Sequence, residues 1–317
     1  FGFESKFAPQ EGYEKRVGYE AKEAFLELRK RGINVTAGWI MGWDFHDRVN
    51  VEDDFNYFVS THPTAVQLTR LCCFPGTPLY YRLKEEERID LDTPWEEVTF
   101  YGGGGYRHRN FEGHEIDTFL YNGYKRLYET WGPSIMRRFE VEMNGYEYCR
   151  NSQYKELREQ KAFRHMDGAV QLYPMVEASE RFAPNGLVRR RINQQAQRYR
   201  KLFGEPITAQ RVQGKFVLMK AFQEKAREMV NPRNRYPKEE PYKKFIYKGS
   251  AKVKPGERPY KVVYPNQDRG FELYRGYRAI NNSLFGAITG LADRYDQWRG
   301  VQPSVSTGAG LKAGKFV

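Results

Sequence analysis

The sequence predicts an α/β fold: a partial, half-barrel parallel sheet of three β/α units, then a mostly helical region, then an extended basic tail. Three observations predict it. Residues 1–83 alternate short apolar strands with amphipathic helices across short connections, the pattern of a parallel sheet with right-handed crossovers. Residues 114–230 carry apolar positions at helical spacing. Residues 231–317 turn to Pro, Tyr and Lys and gather positive charge. The expected domains are therefore 1–90, 91–230 and 231–317.

The first strand is short, Phe1 to Glu4, and the chain enters it in mid-strand, so a preceding half is expected to be missing. A helix follows over Val17–Arg31, with Ala21, Ala24, Phe25 and Leu28 on one face and Gly32 closing it. Ile33–Met41 is the second strand, apolar enough to be covered on both faces. After the loop Gly42–Asn50, a helix over Val51–Ser60 carries Phe55, Phe58 and Val59. Ala65–Cys72 is the third strand. The turn Phe74–Pro78 leads into the helix Leu79–Glu86, with Pro78 suited to its first turn. Three parallel strands cannot close a barrel. Ligands of such sheets bind at the strands' carboxyl ends, here Glu4-Ser5, Gly42-Trp43-Asp44 and Cys72-Cys73-Phe74.

Residues 90–112 read as a flexible connection. Their run Gly102–Gly105 lacks the Lys-Ser/Thr of a phosphate loop. Ile116, Phe119, Leu120, Tyr124 and Leu127 mark the next helix. Trp131-Gly132-Pro133 breaks it, and Ser134 is placed to cap a helix from Ile135. Residues 154–172 and 208–230 read as helices. Arg189, Arg190, Arg191, Arg198 and Arg200 read as a charged helical face, with an anion or partner surface as the alternative. From 231 to 265 recurrent prolines predict an extended arm. An amphipathic helix is expected within 271–298, clearest from Tyr277, and residues 301–317 form a Gly/Ser/Lys-rich end.

Residues 231–317 hold 17 Lys+Arg against 7 Asp+Glu, so +10 of the total +12 lies in this last segment. Such a tail suits nucleic acid, anionic lipid or an acidic protein face, or is a solvated, self-repelling segment. The 23 Tyr and 21 Phe suit contact surfaces as well as cores. The three cysteines, Cys72, Cys73 and Cys149, give no disulfide framework and fit a reducing, cytoplasmic compartment. No stretch approaches a membrane span. Of five histidines, His46 beside Asp44 and Asp47 is best placed, either for a metal or acid–base role or as part of a solvated loop. No metal site and no catalytic residue is assigned.

Three segments together resemble the second half of a radical S-adenosylmethionine (SAM) barrel, in particular the subclass with a cobalamin-binding domain. They are Gly2-Phe3-Glu4-Ser5, then Gly38-Trp39-Ile40-Met41-Gly42 with Glu52-Asp53-Asp54, then Phe74-Pro75-Gly76-Thr77-Pro78-Leu79-Tyr80. The resemblance covers residues 1–90 and, more loosely, reaches about residue 150. It implies that Glu4 and Ser5 offer polar groups to SAM. It implies that Gly38, Ile40 and Gly42 lay backbone against the adenine, since glycine lets backbone approach a flat ring. The bland alternatives are a strand end and glycines that ease packing.

The sequence departs from that family where catalysis begins. It has no Cys-x-x-x-Cys-x-x-Cys, whose thiolates would hold a 4Fe–4S cluster, and no cobalamin motif. Cluster and cobalamin are expected only from a missing N-terminal part. Two readings follow. In one, the chain is the C-terminal part of a radical SAM-type protein, inactive alone, that needs a missing half or partner chain. In the other, it is a non-catalytic structural subunit or relic that wraps partners in a larger assembly. Either way the edge strand Phe1–Glu4 calls for something to pair with it. Nucleic-acid binding through the tail is a weaker variant.

Overall fold

A computed structural model describes residues 1–11, 20–90, 98–101, 104–230, 244–247, 260–263, 283, 285–292, 294–296 and 298. The chain divides into two compact units, residues 1–205 and 206–317.

The first unit is α/β. Strands β1 (Gly2–Glu4), β2 (Thr36–Met41) and β3 (Ala65–Arg70) form a parallel sheet in the order β1-β2-β3, with Gly2 opposite Gly38 and Gly38 opposite Gln67. Helices α1 (Ala21–Lys30) and α2 (Asn50–Ser60) make the crossovers. Helix α1 ends as its sequence demands. Gly32 takes φ +82°, and the Ile33 N–H returns to the Leu28 carbonyl at 2.9 Å. That bond holds Ile33 on the helix end, so β2 starts at Thr36 rather than at Ile33. Gly32 has a second reason to be glycine: a Cβ there would lie 2.3 Å from the Cα of Gly145.

The sheet is covered on one face. Phe3, Ala37, Trp39, Met41 and Leu68 alternate along the strands and pack with Phe25, Phe55 and Phe58 from α1 and α2. Helix α4 (Gly113–Trp131) completes this layer with Ile116, Leu120 and Leu127. The intervening positions Gly2, Thr36 and Gln67 are exposed, and Gly38, Ile40 and Thr69 are partly so. Strand β2 is thus buried on alternate residues, not on both faces as its apolar run suggested.

Beyond β3, Thr77 caps α3 (Pro78–Glu85) by accepting from the Tyr80 N–H at 3.2 Å, with Pro78 in the first turn. The second half of the glycine run is packed, not loose. Gly104 and Gly105 are buried behind β3, and the Gly104 carbonyl accepts from the Cys73 N–H at 3.1 Å. The α4 N-terminus is a capping box of Glu112 and Glu115. Helix α5 (Ser134–Arg150) follows Pro133 at its N-cap, with no side-chain cap from Ser134.

Helices α6 (Ala162–Leu172) and α8 (Gly186–Phe203) pack on α5, and α7 (Val176–Arg181) packs on α8, around a second core of Met136, Phe139, Met143, Ile192 and Tyr199. The basic run lies on α8 and divides. Arg189 and Arg190 face solvent, whereas Arg191 stacks over Trp131 at 5.0 Å and Arg198 donates to Asn144 at 2.7 Å.

The second unit contains α9 (Thr208–Val230), a two-stranded antiparallel ladder of β4 (Lys244–Tyr247) and β5 (Tyr260–Val263), and helical residues 285–292, 294–296 and 298. The ladder falls within the expected extended arm. Most of that arm, the start of the 271–298 helix and residues 301–317 lie outside the described residues.

Candidate functional site

The uncovered sheet face carries the candidate site. Gly2 and Gly38 are adjacent on it, with Ile40, Gln67 and Thr69 beside them. Glu4 ends β1 in the left-handed region, at φ +62°, where a non-glycine residue is strained by about 1–2 kcal/mol. That backbone folds its side chain back over the face: the Glu4 Oε1 lies 2.9 Å from where a Gly2 Cβ would stand. Glycine at position 2 therefore makes room for the carboxylate. Above Gly38, a Cβ would meet only the Phe1 carbonyl oxygen, at 3.9 Å. Gly2 and Gly38 thus leave a patch of bare backbone, bordered by Ile40 and by the Glu4 carboxylate.

Of the five residues singled out in the sequence, Glu4, Gly38 and Ile40 share this face. Ser5 does not. It is fully buried, and its Oγ accepts from the Phe7 N–H at 3.1 Å. Gly42 is also buried. At φ +96° its N–H donates to His46 Nδ1 at 3.3 Å, its carbonyl accepts from the Tyr106 hydroxyl at 2.5 Å, and that hydroxyl would stand 3.0 Å from an added Cβ.

Beneath the face lies a polar latch. His46 is neither solvated nor paired with Asp44 or Asp47. Its Nδ1 accepts from Gly42, so Nε2 carries the proton and donates to Asp54 Oδ2 at 3.1 Å. Asp54 Oδ2 also accepts from the Trp39 indole N–H at 3.0 Å, and Oδ1 accepts from the Lys6 N–H at 2.6 Å. Both His46 and Asp54 are fully buried. The latch ties the ends of β1 and β2 to α2. It is a positioning device, because neither side chain reaches the open face.

Asp44 stands at the carboxyl end of β2. Burial would raise its pKa, but the Arg88 fork and Arg82 outweigh this and hold the carboxyl below its usual range. Arg88 reaches Asp44 Oδ1 at 2.7 Å and also grips Glu86 at 2.6 Å. Tyr106 is pushed well up by burial. His108 is lowered, first by burial, with its Nε2 donating to the Trp43 carbonyl at 2.9 Å. These groups brace the rim and are saturated with partners.

The cysteines do not fit an iron–sulfur cluster. Cys72, Cys73 and Cys149 are buried, and the Cys73 Sγ donates to the Gly105 carbonyl at 3.0 Å. Burial raises the Cys72 thiol to about 11 and raises the other two as well, which disfavours thiolate. Among the described residues no three His, Cys, Asp or Glu side chains could hold a metal ion. On the open face only Gly2 and Gly38 leave the backbone bare, with Ile40 beside them and the Glu4 carboxylate folded over Gly2.

The two edges of the sheet differ. At the β3 edge the Tyr124 hydroxyl accepts from the Leu68 N–H at 3.0 Å and donates to the Leu68 carbonyl at 3.3 Å, and the Phe100 carbonyl takes the Arg70 N–H at 3.0 Å. Helix and loop cover that edge. Among the described residues β1 has β2 as its sole strand neighbour.

Asp54, Trp39 and Tyr106 were not assigned roles from sequence. Asp54 had a legible signal: it falls with Val51, Phe55 and Phe58 on the apolar arc of α2, where a carboxylate requires buried donors. Tyr106 had none, since its contact with Gly42 spans 64 residues. Comparison with protein-family models, curated proteins and solved structures finds no match for the chain.

Proposed function

We propose that residues 1–90 are half of a β/α barrel of the radical SAM type, and that the open sheet face is its lumen wall for the adenosine end of SAM. The observation that supports this is the strip formed by Gly2, Gly38 and Ile40 with the strained Glu4 carboxylate folded over it. Barrels of this kind place their ligands at the carboxyl ends of the strands, and glycine there lets the backbone approach a flat ring. A sheet face meant for a helix would carry apolar side chains instead.

In this reading Glu4 accepts hydrogen bonds from SAM, and the β2 backbone at Gly38 and Ile40 supports its adenine. A bound cluster would supply the electron that cleaves SAM, but this chain's thiols do not fit one. The cluster, and any cobalamin, must come from a complementary β/α half beyond β1, in the same polypeptide or another, in a reducing cytoplasm. The chain alone is inactive.

A photocrosslinking residue in place of Phe1, which is 58% exposed beside β1, tests the completion in cells of origin. The expected product joins Phe1 to a β/α segment bearing Cys-x-x-x-Cys-x-x-Cys. Capture of a segment without that motif would overturn the enzymatic reading in favour of a scaffold subunit.

A further inference from the structure

The second unit presents an apolar stripe that its own helix pairing leaves in solvent. Helix α9 and the helical residues 285–292, 294–296 and 298 run antiparallel. The Ala209 N–H at the start of α9 donates to Asp296 Oδ2 at 2.8 Å, and Phe216 meets Phe285 edge-on with centroids 5.4 Å apart. Asp296, Ala292 and Thr289 are buried. At about 100° per residue they fall with Phe285 on one arc, turned toward α9.

The neighbouring arc, about 80° wide by the same geometry, carries Ile288, Leu291, Tyr295 and Trp298. Their exposures are 37%, 63%, 46% and 81%. Spacings of three, four and three keep them in one row. A row of this kind on a single helix, with no polar residue within it, calls for an apolar environment.

Charge indicates which one. The same region of sequence, 231–317, carries 17 Lys+Arg against 7 Asp+Glu. Nucleic acid would satisfy the charge and stack on Tyr295 and Trp298, and would leave Ile288 and Leu291 in water. An anionic bilayer satisfies both: headgroup phosphates attract Lys and Arg at about 1 kcal/mol each, and the interface takes the apolar face. Tyr295 and Trp298 at the C-terminal end of the row suit the headgroup boundary. No helix among the described residues is long and apolar enough to cross a membrane, so the helix would lie on the surface. We infer that this stripe docks on an anionic lipid surface, drawn there by the net positive charge of the sequence 231–317. The inference is independent of the SAM reading.

Co-sedimentation of the full chain with vesicles tests it. Binding is expected to phosphatidylcholine vesicles containing phosphatidylglycerol, to fall as salt rises, and to be slight with phosphatidylcholine alone. Replacing Leu291→Glu and Trp298→Glu together should weaken it by roughly tenfold or more, through lost apolar burial. Both sites are exposed, and an unchanged circular dichroism spectrum would confirm that the variant folds. The milder Trp298→Phe should keep the binding and lose part of the vesicle-induced fluorescence blue shift. No binding of the parent, equal binding to neutral vesicles, or undiminished binding of the double Glu variant would overturn the inference. So would a parent dimer that Leu291→Glu dissociates, which would assign the stripe to a second copy of the chain.

Discussion

The Asp54 carboxylate and the His46 imidazole meet at 3.1 Å with neither side chain exposed to solvent. Between them they join three stretches: the turn after β1 through Lys6, the strand β2 through Trp39 and Gly42, and helix α2 through Asp54 itself. This latch holds the two strand ends that flank the open face, so the position of Glu4 over Gly2 depends on groups that no ligand would touch.

Removing the carboxylate should therefore cost more than removing any one of its donors. Asp54→Ala leaves three N–H groups without their acceptor, two of them fully buried, and is expected to destabilise by about 3–5 kcal/mol. Trp39→Phe removes one donor and part of a fully buried ring. It should cost about 1–2 kcal/mol, including the loss of one hydrogen bond to a charged group. Urea unfolding of the two variants checks the order. Equal losses would show that Trp39 matters through packing alone.

His62 gives the chain an acid-sensitive limb. Its ring stacks on Trp131 at 3.6 Å, and Nδ1 accepts from Arg29 at 2.7 Å. Burial, then the charges of Arg29, Arg137 and Arg191, lower its pKa from 6.5 to about 2. The unfolded chain thus takes up a proton below 6.5 that the folded chain refuses. Stability from this group is full above that pH, falls by about 1.4 kcal/mol per unit beneath it, and stops falling near the folded value. His108, also lowered by burial, adds to the same window. Asp44 and Glu142, both lowered from ordinary carboxyl values, begin to act only at more acid pH. A His62→Gln variant should flatten the dependence of unfolding free energy between pH 6.5 and 4.5. An unaltered slope would mean that the ring titrates freely in the folded state.

The order of strands and helices was legible because each crossover carries its own local signals. Gly32 ends α1, Pro78 starts α3, and the apolar spacing of Phe55 and Phe58 sets the buried side of α2. The sidedness of the sheet was less legible. Ile40 and Gly38 read as part of one apolar run with Trp39 and Met41, and only the register with Phe3 and Leu68 shows which side is covered. The candidate site was half legible. Glu4, Gly38 and Ile40 share a face, whereas the chain turn after Glu4 buries Ser5, and Tyr106, distant in sequence, closes over Gly42. Contacts of that range leave no periodic trace in a single sequence.

One substitution isolates the proposed adenosine surface on the open face. Gly38→Val places a branched side chain in the space above β2, where an added Cβ meets only the Phe1 carbonyl at 3.9 Å; the fold should keep its melting temperature. Saturation-transfer NMR with SAM should show magnetisation reaching the adenine protons from the parent chain and not from Gly38→Val. Absence of transfer in the parent, or its persistence in the variant, would contradict the assignment of this face.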